Sequence, residues 1–486
     1  MPSLEMHAMQ IPEHPFSIVA FAPFLPAEMA ANTAATQPLP IQSADHGLAL
    51  LRPSLYIPLP QSLSPEAGIL LEFTSLADFA PDAMVASTPW LRALRDGSRV
   101  SAQAQSTTAA TTLDNILDMV DLPGKQEEGA RRFEAEGNEA DAIVSGVLTR
   151  IFADDDFRRM EAAWQGVALL FEAAGAEQLR LALVPVTREN AAEVLTSSGP
   201  LLDDDPPDLL VLDAPFDGTP VGMLLLEAAA NLAERQMSPA ICWFGPDFLH
   251  LDAWSGLERL PYLPNHLEGF SFAQWKALRA QPAASWTIAA CNRFSLTPSR
   301  HGDASSDLFR LRKPNFLAPV WGIAALLVQS QARTGTPLGI ASQLLRVQDA
   351  DLAGWTPLET AITGDRTLQM AESGLLPLVQ SRGKGIHLAE AVTINGESIL
   401  APLILSTIIH TLIGLRQSSG PSSNPNDLAN TLNEVFSRHP RFKGVLPAGA
   451  VTFEAVGNDA QGRVLLGVTL KHREFCGKNI EFTFMW

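Results

Sequence analysis

Few residues in this chain have a type and spacing suited to chemistry. His301 and Asp303, in RHGDASSD, form the best candidate metal pair, but a loop histidine two residues from an aspartate reads more simply as a solvated turn. Asp203, Asp204 and Asp205 open a DDDPPD run just before a strand-like stretch, which fits an exposed connection better than a cation site. His410, inside ILAPLILSTIIHTLIGL, reads as a core histidine with its hydrogen bonds satisfied. Cys242, Cys291 and Cys476 are far apart in apolar stretches, so neither a disulfide framework nor a thiolate metal cage fits, and a reducing compartment is expected. Phosphate-binding loops, dinucleotide fingerprints, H-E-x-x-H and C-x-x-C are all missing from the sequence. No nucleophile, base and orienter assemble from these residues, and the expectation is a non-enzyme without metal or cofactor.

The rest of the chain is built for burial. Of 486 residues, 46% are apolar and only 18% are Asp, Glu, Lys or Arg, against a usual charged share of about 25%. Chains with so few charges hide surface against other chains, which favours an assembly subunit over a free monomer. The formal net charge of −19 repels phosphate backbones and argues against nucleic acid. The opening MPSLEMHAMQIPEHPF has no basic segment followed by an apolar run, so a cytoplasmic location is expected. Ile399–Leu415 has about the minimum length for a bilayer, yet Pro402 and His410 make it a buried core helix, not a membrane-embedded one.

The apolar runs predict an α/β (α+β) fold in two parts. Residues 1–97 read as a small β-rich module, with strands at FSIVAF and ILLEF and a helix ending in WLRALRD. Residues 98–138 join a Ser, Thr, Ala and Gln-rich linker to a charged connecting segment, with a short periodic stretch at Leu113–Leu122. Residues 139–486 read as a larger domain. Two helical periods open it, strands at Leu179, Leu209, Pro239 and Ser285 alternate with helices in a mixed central sheet, and AVTFEAV, RVLLGVTL and NIEFTFMW close it as strands.

On these elements the chain resembles the contractile sheath of bacterial type VI secretion. AIVSGVLTRIFADDDFRRMEAAWQGVALLFEAA is similar to the opening of the large sheath subunit (TssC/VipB-like), through Phe157, Glu161, Trp164 and Gly166. DLFRLRKPNFLAPVWGIAALLV matches that family at Phe316, Trp321 and Gly322. GWTPLETAITGDRTLQMAESGLLPLV matches it at Pro357, Glu359, Ile362, Thr363, Asp365, Arg366, Leu368, Gly374 and Pro377. In the first part, ILLEFTSLADFAPDAMVASTPWLRALRD resembles the small sheath subunit (TssB/VipA-like), with Phe73, Ser75, Leu76, Asp78, Phe79, Pro81, Pro89, Leu91 and Leu94 in place. The resemblance implies a fusion of the two subunits, small one first, that polymerises with copies of itself around an inner tube protein (Hcp-like) and meets baseplate and cap components. The stretch carrying the helix recognised by the recycling AAA+ unfoldase (ClpV-like) is replaced here by linker, so the resemblance does not extend to that partner. A phage-like or extracellular contractile particle shares the fold, and an α/β enzyme with an unrecognised site is the alternative from another class.

Two assembly surfaces follow. DLANTLNEVFSRH puts Leu428, Leu432, Val435 and Phe436 on one helical face and Asp427, Asn430, Thr431, Glu434 and Arg438 on the other. The pattern fits an ordinary surface helix, and its position matches the family's tube-facing helix. Related sheaths are linked by strand exchange, which the resemblance assigns to FSIVAF (Phe16, Ile18, Ala20) and NIEFTFMW (Ile480, Phe482, Phe484); an ordinary strand within its own domain is the other reading of the latter.

Overall fold

The computed structural model describes residues 15–32, 37–64, 66–96, 140–175, 178–295, 315–346, 357–381, 385–419, 424–438, 446–447, 449–475 and 478–486. The connecting stretch 98–138, His301, Asp303 and Cys476 lie outside them. In chain order the strands are Phe16–Ala22 (β1), Leu39–Ile41 (β2), Ser54–Pro58 (β3), Gly68–Glu72 (β4), Leu179–Pro185 (β5), Leu209–Phe216 (β6), Ala240–Phe244 (β7), Thr287–Cys291 (β8), Leu375–Ser381 (β9), Gly385–Leu388 (β10), Val451–Asn458 (β11), Val464–Lys471 (β12) and Asn479–Met485 (β13). The helices are Ala27–Asn32 (α1), Ala44–Leu51 (α2), Pro81–Ser87 (α3), 89–96 (α4), 140–153 (α5), Asp155–Ala174 (α6), Ala191–Leu202 (α7), Pro220–Gln236 (α8), Leu263–Leu267 (α9), Ala273–Arg279 (α10), Pro319–Thr334 (α11), Gly364–Glu372 (α12), Leu400–Ser419 (α13) and Pro425–Arg438 (α14).

Eight strands form the central sheet in the order β10-β9-β8-β7-β6-β1-β5-β2. The six inner strands run parallel, and β10 and β2 pair antiparallel at the edges. Helices cover both faces, which is why the inner strands read as unbroken apolar runs. Within β1 the two-residue period divides the side chains cleanly. Phe16, Ile18, Ala20 and Ala22 join the core under α6 and α11, while Val19 and Phe21 join the core under α7, α8 and α10.

The position of β1 changes how the two parts relate. It pairs along seven residues with β5 and along four with β6, both from the second part. The break between residues 97 and 139 therefore does not separate two cores. It also corrects the strand-exchange expectation for Phe16, Ile18 and Ala20: both edges of β1 are filled within the chain, so no edge remains for a neighbour's strand.

The last three strands form a separate antiparallel sheet, β11-β12-β13. Helix α14 and one side of α13 close its core through Ile404, Ile408, Leu412, Leu428, Leu432, Phe453, Leu466 and Val468. Leu403, on another side of α13, belongs to the main core. Leu400–Ser418 is long and apolar enough to cross a membrane, the one such helix among the described residues, and more than half of it is buried between these two bodies.

Candidate assembly surfaces and the motif cluster

Helix α14 presents the faces its sequence predicts. Leu428, Leu432 and Phe436 are buried against the C-terminal sheet, and Asn433 fixes the helix to β11 by exchanging hydrogen bonds with the Phe453 backbone at 2.9 and 3.0 Å. Asp427, Asn430 and Glu434 are exposed and Thr431 is half-buried, its hydroxyl donating to the Asp427 carbonyl at 2.8 Å. Position 438 ends the helix, with its side chain outside the described residues.

Strand β13 pairs along seven residues with β12 and is the edge of its sheet. Ile480, Phe482 and Phe484 face the C-terminal core, and Asn479, Glu481, Thr483 and Met485 are exposed. Arg416 of α13 lies over the Phe484 ring at 5.7 Å and donates to the Met485 carbonyl at 3.1 Å. The aromatic face of β13 thus covers this chain's own core, and its free edge is a row of backbone groups.

The motif residues come together across the two parts. Phe73 and Phe79 stack at 4.3 Å, and both pack on Phe157 at the start of α6, at 6.1 and 5.9 Å; all three are buried. Asp78 stabilises the turn between them by accepting from the backbone N–H of Thr74 and Ser75 at 2.7 and 2.8 Å, and Pro81 starts α3, where its missing N–H costs nothing. Trp164 donates to the Phe24 carbonyl at 3.1 Å, tying α6 to the chain just after β1. Two residues of the stretch from Pro357 to Pro377 have structural work. Arg366 is buried and donates to the carbonyls of Pro261 and Glu258 at 2.9 and 3.1 Å, while Gly374, at φ +76°, abuts the Ile394 carbonyl where no Cβ fits. Asp365 is exposed in the first turn of α12.

A polar cluster that the sequence reading passed over lies at the carboxyl ends of β6 to β8. Asp213 of β6 accepts from Trp321 Nε1 at 2.7 Å and Trp243 Nε1 at 3.0 Å. Trp321 is held in place because Gly166 of α6 lies against its ring and Gly322 lies against Phe294 and Leu378. Burial pushes the Asp213 carboxyl up from 3.8 to about 6, partly offset by the two indole hydrogen bonds and by Arg293. Arg293 itself forms a forked pair with Glu359 at 2.9 and 2.6 Å, which raises its pKa further. Asp217 holds the Thr219 backbone N–H at 3.0 Å and pairs with Arg188. This is where an open α/β sheet offers a ligand crevice, and here these side chains bond to one another.

The remaining candidates are structural. Asp203 and Asp205 pair with Arg235 and Arg180, so the acidic run is an exposed connection. His410 Nδ1 lies 3.3 Å from Asp208 Oδ1 and its Nε2 lies 3.3 Å from the Gln236 carbonyl, so the core histidine has partners on both sides. Burial pushes the Cys242 thiol up to about 12 and the Cys291 thiol well up, leaving both inert. Among the described residues no group of three or more His, Cys, Asp or Glu is placed to hold a metal ion.

Asp213 gives a pH prediction. Its folded value of about 6 lies above its ordinary 3.8, so folding favours the protonated form. The stability it contributes is complete below pH 3.8 and is lost as pH rises through 6, a span of about 3 kcal/mol. Urea unfolding at pH 5 and pH 7 should show Asp213→Asn gaining relative to the parent chain at the higher pH; an equal difference at both would contradict this.

Residues 204–307 match the family VipB, described as EvpB/VC_A0108, tail sheath N-terminal domain. No curated protein matches the chain. Among solved structures, the contracted helical sheath of the anti-feeding prophage overlaps at a TM-score of 0.38, with 12% identity over 67% of this chain and 78% of that one. The contracted PVC sheath complex of an extracellular contractile injection system overlaps at 0.37, with 12% identity over 66% and 76%. A sheath tail protein of Desulfitobacterium hafniense overlaps at 0.34, with 8% identity over 60% and 59%. The family match runs from the turn before β6 to beyond β8 and takes in Asp213, Trp243 and Arg293. Over these strands and the helices between them the chain is similar to a tail sheath N-terminal domain.

Proposed function

We propose that the chain is a force-transducing structural subunit of a type VI-like contractile sheath, polymerising in the cytoplasm around an inner tube and shortening to push it outward. The tail sheath match across strands β6, β7 and β8 of the central sheet carries this reading. The work comes from a difference in interface free energy between extended and contracted polymers of one packed subunit. The chain combines a small-subunit-like part and a large-subunit-like part. The contact of Phe73 and Phe79 with Phe157 supports this pairing, as does the place of β1 in the sheet. Baseplate, cap and tube are its partners, and it performs no catalysis. Electron microscopy of the purified chain tests the reading: hollow, cogwheel-ended filaments are expected, and monodisperse monomers under all assembly conditions would sink it.

Tube contact belongs to the exposed face of α14, and subunit linkage to the free edge of β13. Surface charge pairs contribute about 0.2–1 kcal/mol each, and reversing a charge turns attraction into repulsion. Asp427→Lys with Glu434→Lys should leave circular dichroism and filament formation unchanged while the tube retained on sedimented sheath falls roughly tenfold. Unaltered co-sedimentation would place the tube contact elsewhere.

A further inference from the structure

The two indoles on Asp213 are not held equally. Trp321 is fully buried, fixed by Gly166, and bonds the carboxylate at 2.7 Å; Trp243 is half-buried on β7 and bonds the other oxygen at 3.0 Å. A carboxylate accepts on both oxygens, whereas a carboxylic acid turns one of them into a donor. We infer that Asp213 is a proton-operated catch: taking up one proton from solvent on the oxygen facing Trp243, it lets go of that indole while keeping Trp321.

The surroundings suit such a catch. Strands β1 and β7 carry no charged residue, and the charged residue of α11 is Arg333 in its last turn. The nearby cation, Arg293 after β8, is already gripped by Glu359, with Asp247 beyond it. Asp213 therefore keeps its charge in a buried site mainly through two neutral N–H donors, and burial lifts its titration to about 6. Released, Trp243 has a route to solvent, because the residue is only partly buried at the carboxyl end of β7. Losing that tie loosens β7 from β6 on the stretch where their register shifts between Val211 and Pro215.

The test is 19F spectroscopy of the full chain carrying 5-fluorotryptophan, titrated from pH 8 to pH 5, with resonances assigned by Trp243→Phe and Trp321→Phe. The Trp243 resonance is expected to shift with a midpoint near pH 6, with Trp321 moving less, and Asp213→Asn should abolish the transition. A flat Trp243 resonance, or the same midpoint in Asp213→Asn, overturns the inference. Should Asp213→Asn not fold, Trp321→Phe decides: removing one donor that holds the carboxylate charged should raise the Trp243 midpoint, and an unchanged midpoint counts against the catch.

Discussion

Expressed without residues 1–97, the segment 139–486 is expected to be insoluble, and coexpression of 1–97 as a separate chain should restore solubility and co-purify with it. The deletion removes β1 from the middle of the sheet, leaving β5 with seven unpaired positions and β6 with four. Burial of Phe16, Ile18, Val19 and Phe21 alone contributes roughly 6–12 kcal/mol at about 1.5–3 kcal/mol each, comparable to the whole stability of a domain, about 5–15 kcal/mol. Two exposed parallel edges lined by apolar side chains are also templates for aggregation. Soluble, monomeric 139–486 would contradict the strand order, and failure of the two pieces to co-purify would contradict the two-part reading.

Gly166→Ala is expected to destabilise the fold by about 2–3 kcal/mol, a balance of three opposing effects. Alanine gains about 1 kcal/mol of helix propensity over glycine within α6. Against this, its Cβ would lie 2.6 Å from Trp321 Cε2 and closer still to Cγ and Cδ2, in a core where overpacking costs about 1–3 kcal/mol. The ring can yield only by leaving Asp213, and a hydrogen bond to a charged group contributes about 1.5–3 kcal/mol. Denaturant unfolding measures the sum, and a stabilised variant would show that Trp321 relaxes without losing its partner.

Sequence reasoning finds what repeats locally and misses what is set by distant pairing. The apolar runs beginning at Leu179, Leu209, Pro239 and Ser285 hold the strands expected there, and the helical period of α14 buries the face it assigns. The three C-terminal strands lie where their alternation puts them. FSIVAF was legible as a strand but not as the sixth in an eight-strand order, because a strand buried on both faces looks the same in any sheet. The tie between Asp213, Trp243 and Trp321 was equally hidden: LLVLDAPF shows one aspartate in an apolar run, and its partners lie 30 and 108 residues away. Gly166 and Gly322 were visible through the family resemblance, without their reason, the close approach of Trp321 and Phe294.

The place of β1 also fixes an order of events during synthesis. Ile18 leaves the ribosome about 160 residues before Leu181, its partner on β5. At about 5–20 residues per second this is roughly 10–30 s in which an apolar strand has no sheet to join. Tethering the two parts in one chain shortens their search for each other but leaves this wait in place. Translation speed between residues 18 and 181 therefore sets how long the strand is open to capture by other nascent chains.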